Sequence, residues 1–73
     1  MRITITWGNG TEATYTAAGN VEDMVKHIIL SEHKESFGRV RFSDPRYGTL
    51  AQGIAYYHGQ GGTFEAFRVT NAH

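Results

Sequence analysis

Residues 2–7 alternate strictly, with Ile3, Ile5 and Trp7 on one side and Arg2, Thr4 and Thr6 on the other. This is the period-two pattern of a strand with one buried face. The run 11–17 answers it, placing Ala13, Tyr15 and Ala17 on one face and Glu12, Thr14 and Thr16 on the other. Gly8-Asn9-Gly10 between them tolerates positive φ, so the two runs predict a hairpin.

A change of period follows. Val21, Met24, Val25, Ile28 and Ile29 fall at i, i+3, i+4, i+7 and i+8, the apolar stripe of a helix, while Glu22, Asp23, Lys26 and His33 point elsewhere. Asn20 is a natural N-cap, and Glu22 and Asp23 complement the dipole of the first turn. The helix is expected to end at Gly38 or in the Ser- and Glu-containing stretch before it.

Alternation returns over 39–43, with Val40 and Phe42 inward and Arg41 outward, before a loop at Asp44-Pro45-Arg46-Tyr47-Gly48. Residues 54–58 and 64–70 are rich in aromatic and β-branched types, and Gly59-Gln60-Gly61-Gly62 can turn between them, a second hairpin. The order ββαβββ with short connections predicts a single α+β domain over 1–73. It should be one antiparallel sheet of about five strands with one helix packed on one face. The expected core is Ile3, Ile5, Trp7, Tyr15, Val25, Ile28, Ile29, Val40, Phe42 and Ile54.

Composition narrows the functional classes. A chain of 73 residues buries too little surface for a large catalytic cleft or a second domain. It has no Cys, which excludes disulfides and thiolate-bound metal. Mean hydropathy is −0.41, no apolar run approaches a membrane span, and the alternation at Met1-Arg2-Ile3-Thr4 is unlike a signal peptide. The expectation is a cytoplasmic protein that engages no membrane.

Candidate chemistry is sparse. His27 and His33 are six apart on the helix and outside any His-x-x-x-His frame, so no metal site and no cofactor is expected. His27 is expected to pair with Asp23 one turn away, His58 to end a strand, and His73 to stand at the terminus. Ser31, Ser36 and Ser43 lie in no nucleophile elbow, and Glu22-Asp23 serve the helix dipole, so no catalytic residue is assigned. Both glycine clusters lead into strands rather than opening a helix after one, unlike phosphate-binding loops.

The string Phe37-Gly38-Arg39-Val40-Arg41-Phe42 shares Phe, Gly, Val and Phe spacing with the RNP1 signature of RNA-recognition motifs. It carries Glu35-Ser36 in place of the initial basic-Gly pair and Arg39 in place of the second stacking aromatic. The element order also opens with a hairpin and offers one helix, so the family is not carried over.

Charge placement says more. Lys+Arg and Asp+Glu number seven each, for zero net charge, yet none of the five arginines lies in the predicted helix. The acids Glu22, Asp23, Glu32 and Glu35 lie in it or just after it. Arg2, Arg39, Arg41 and Arg68 are expected on the sheet face away from the helix, with Tyr57 or Phe64 nearby. Tyr47, Tyr56 and Tyr57 with Arg46 resemble an interface composition, although the same tyrosines would also serve to flank the core. The candidate binding residues are therefore Arg2, Arg39, Arg41, Arg46, Tyr47, Tyr57 and Arg68.

Two functions compete. One is a non-enzymatic protein-interaction module that blocks a surface on a larger protein or complex, the mode of small phage or mobile-element inhibitors such as anti-CRISPR proteins. The alternative is a single-stranded nucleic-acid binder using the Arg and aromatic sheet face. A sequence pI near 6.9 and two lysines favour the first.

Overall fold

The computed structural model describes residues 1–59 and 61–72. Five strands and one helix follow in the order β1 (Arg2–Trp7), β2 (Glu12–Thr16), α1 (Val21–Glu32), β3 (Phe37–Ser43), β4 (Ala51–Tyr57) and β5 (Phe64–Asn71). All neighbouring strands pair antiparallel in one sheet of order β2-β1-β5-β4-β3. The chain thus lays down one hairpin, carries α1 across to the far edge, and returns by two hairpins until β5 closes beside β1. The fold is α+β, as the alternation and the single helical stripe require.

Local chemistry sets the helix ends. The Asn20 side chain accepts from the Asp23 backbone N–H at 3.0 Å, satisfying one of the donors a helix start leaves open. His33 caps the other end, its N–H donating to the Ile29 carbonyl at 3.0 Å. The helix therefore ends at Glu32, six residues before Gly38, and a turn through Ser36 follows. Val25, Ile28 and Ile29 are its buried residues, and it runs alongside β3 and β4.

Beneath it lie Ile3, Ile5, Ala17, Phe37, Ala51, Ala55, Phe67 and Val69, which complete the core. Trp7, Tyr15, Val40 and Phe42 pack against this core half-buried. Ile54 does not join it. β4 is in register so that Ala51, Gly53, Ala55 and Tyr57 turn toward the helix, and Ile54 falls on the opposite face between Arg41 and Ala66. Up to Tyr57 the helix side of β4 carries only small residues, whose weak hydropathy hides the direction of the strand.

An aromatic cluster closes the end of the core near the helix C-terminus. Trp7 and Phe37 stack with centroids 5.2 Å apart and planes 7° apart. His33 meets Trp7 edge-on at 5.7 Å, and Tyr57 lies against Phe37 at 4.7 Å. Phe37 and Phe42 both turn to the helix side, so neither aromatic of the RNP1-like string reaches the open sheet face. A β-bulge falls between Phe37 and Arg39, and Gly38 within it leaves space for the ring of His58, which lies 2.6 Å from where a Cβ on that glycine would stand. The His58 Nε2 is 2.9 Å from the Lys34 carbonyl oxygen, which ties the end of β4 to the turn after the helix. No helix among the described residues is long and apolar enough to cross a membrane.

Candidate functional site: the open face of the sheet

The face away from α1 is built from the alternate positions of all five strands, so its composition follows directly from the register. At one end Arg39, Tyr56 and Phe64 lie in a row across β3, β4 and β5. The Arg39 guanidinium carbon sits 4.2 Å from the Tyr56 ring centroid, a cation–π contact. Phe64 meets the same ring edge-on at 6.1 Å and is half exposed. Arg41, Ile54 and Ala66 form the next row, and Ser43, Gln52, Arg68, Thr6 and Glu12 the one after. Threonines fill the β1–β2 side, where the Thr4 and Thr14 hydroxyls lie 3.2 Å apart. Arg2 stands beside Thr16 at the margin.

The expected residues separate into three groups. Arg2, Arg39, Arg41 and Arg68 share the open face and are exposed. Arg46 and Tyr47 stand on the loop after β3, where the Tyr47 side chain is fully in solvent at 106% relative exposure. Tyr57 is on the other side of the sheet, so the expectation that it accompanies the arginines is corrected. Its place is taken by Tyr56, one residue earlier, because adjacent residues of a strand face opposite ways. Tyr56, expected only as one of an interface-like set of tyrosines, and Ile54, expected in the core, complete this face, and the small-residue alternation Ala51, Gly53, Ala55 is the signal that locates them.

Tyr57 has a structural setting of its own. Its hydroxyl donates to the Glu65 carboxylate at 3.1 Å. Burial, that hydrogen bond and the Glu65 charge together hold its phenol above the usual tyrosine range. On the other flank of the helix side, burial and the charge of Glu32 push Tyr15 in the same direction.

Electrostatically the two sides differ. The open face bears four arginines against one acid, Glu12, whose carboxylate lies 3.5 Å from the Thr6 hydroxyl. The helix and the turn after it bear Glu22, Asp23, Glu32 and Glu35 against Lys26 and Lys34, all exposed. Zero net charge thus conceals a dipolar molecule. Asp23 and His27 are both exposed and border one shallow surface hollow with Lys26, Leu30 and Ser31. No group of three or more metal-ligating side chains is found among the described residues, and His73 lies outside them.

No match to this chain is found among known protein families, curated proteins or solved structures. The open face is a cationic surface with an apolar, aromatic end. Arginine there can pair bidentately with carboxylates or phosphates, while Tyr56, Phe64 and Ile54 offer area for an apolar contact.

Proposed function

We propose that the protein is a non-enzymatic interaction module whose open sheet face binds an acidic surface of a larger protein. The observation that carries this is the row Arg39–Tyr56–Phe64 with Arg41 alongside. Ring contact restrains the Arg39 head group before any partner arrives, which lowers the ordering cost of binding. The arginines steer an acidic partner and fix its orientation, and the aromatic end supplies the desolvated contact that holds it. Covering a partner's working surface, as small phage-borne and anti-CRISPR inhibitors do, is the mode of action that suits a module of this size.

The same row supports a second reading, in which Tyr56 and Phe64 stack on bases of a single strand and Arg39, Arg41 and Arg68 meet its phosphates. The balanced charge of the chain favours the protein partner.

Amide chemical shifts followed during titration with acidic, aromatic-containing peptides and with a mixed-sequence single-stranded oligonucleotide test both. Peptides should shift resonances at Arg39, Arg41, Ile54 and Tyr56, and Arg39→Glu with Arg41→Glu should abolish the shifts. Shifts confined to the helix would refute the proposal. Saturable binding of the oligonucleotide alone, with a steep salt dependence, would put the second reading in its place.

A further inference from the structure

The two edges of the sheet are treated differently by the sequence. β3 is blunted by the bulge after Phe37 and by Arg39 and Arg41, devices that keep an edge from pairing. β2 has no bulge, no proline and no basic residue, and four of its five residues are exposed.

The direction of its free backbone groups can be worked out from the ladder. The Trp7 N–H donates to the Thr11 carbonyl and the Ala17 N–H to the Met1 carbonyl, each at 2.8 Å. Antiparallel ladders alternate hydrogen-bonded and non-bonded pairs, so Ala13 and Tyr15 also bond inward to β1. The N–H and C=O groups of Glu12, Thr14 and Thr16 therefore point outward from the edge.

We infer that β2 is a self-association edge that pairs antiparallel with β2 of a second copy about a two-fold axis at Thr14. In that register Thr14 faces Thr14 of the partner, and Glu12 faces the partner's Thr16 at each end. The outward groups of all three residues are then satisfied by six backbone hydrogen bonds. Charge favours this occupant. Glu12, the one acid on the open face, comes to lie two strands from the partner's Arg2, because Arg2 is registered beside Thr16. Two strand spacings are about 10 Å, within reach of these two long side chains. No like charges are opposed, whereas pairing through β3 would gather four arginines. On the other face Ala13 meets the partner's Tyr15, extending the apolar side. The result is one continuous ten-stranded sheet with both arginine faces on the same side, and Arg39 and Arg41 at its far margins.

Sedimentation of the intact protein across a concentration series into the millimolar range tests this, together with amide hydrogen exchange at low and high concentration. The mass should rise from 8.1 kDa toward twice that value, and protection should appear at the amides of Glu12, Thr14 and Thr16 as it does. Thr14→Lys sets two like charges opposite each other at the axis and should keep the protein monomeric with its circular dichroism unchanged. A monomer at every concentration would overturn the inference. So would a dimer in which those three amides exchange as freely as in the monomer, or a dimer that persists in Thr14→Lys. Should Thr14→Lys fail to fold, the exchange pattern of the unaltered protein decides alone.

Discussion

Phe42 and Phe67 meet edge to face over a glycine, their centroids 5.8 Å apart and their planes at 86°. Gly53 of β4 is registered between them, opposite Phe42 on one side and Phe67 on the other. A Cβ there would run into the carbonyl oxygen of Arg41, a backbone atom that cannot swing aside. Gly53→Ala is therefore expected to lower stability by about 1–3 kcal/mol despite adding a single methyl. Urea denaturation measures it, and an unchanged midpoint would mean that β3 yields without cost.

The helix stripe makes a sharper prediction when paired with the misplaced isoleucine. Ile28 is buried at 7% relative exposure under the helix, and Ile28→Ala should cost ~2–5 kcal/mol through lost burial and a residual cavity. Ile54 is half-buried on the open face, so Ile54→Ala leaves a dent in a surface rather than a void. It should cost clearly less. Equal losses in the two variants, read by thermal melting, would show that Ile54 packs as the helix residues do.

The contrast between those two residues also explains what could be read from the chain. β1 and α1 are legible because their inward positions carry large side chains: Ile3, Ile5 and Trp7 alternate without ambiguity, and Val21 to Ile29 keep helical period. β2 is legible from its threonine alternation and the glycine turn that ties it to β1. In β4 the inward positions before Tyr57 are Ala51, Gly53 and Ala55, all small, while the outward Ile54 and Tyr56 are large. Hydropathy then points to the wrong face. A strand has period two, so that single misjudgement exchanges Tyr57 for Tyr56 in the candidate site. The arginines escaped the error because Arg39 and Arg41 sit in β3 and Arg68 in β5, where Val40, Phe42, Phe67 and Val69 mark the inward side.

The cation–π contact of Arg39 with Tyr56 is exposed and held at 4.2 Å. At such a site it contributes about 0.5–1 kcal/mol. Arg39→Glu with Arg41→Glu should therefore lower the stability of the fold by no more than about 1 kcal/mol while removing binding of an acidic partner. Circular dichroism together with the peptide titration separates the two effects. Loss of the folded signal in the double variant would make these arginines structural and leave the open face without its proposed role.

Tyr57 makes the stability of the protein sensitive to alkaline pH. Its hydroxyl donates to Glu65, and burial, this bond and the carboxylate charge all oppose ionisation, so the folded protein holds the phenolic proton above the ordinary value of 10.0. Below that pH the group is protonated in folded and unfolded chains alike, and its contribution to stability is complete. As pH rises past it, the unfolded chain releases the proton first, which draws the equilibrium toward unfolding. The contribution is then lost as pH climbs through the raised folded value. Tyr57→Phe removes both the hydrogen bond and the titration. It should be less stable than the unaltered protein at neutral pH, and the gap between the two should narrow steadily above pH 10.0. Tyr15, raised by burial and by Glu32, is present in both proteins and cancels from the difference. Paired denaturation curves from neutral to strongly alkaline pH provide the measurement. A gap that stays constant across that range would show that Tyr57 ionises equally readily in the folded and unfolded states, and that its bond to Glu65 does not bias the proton.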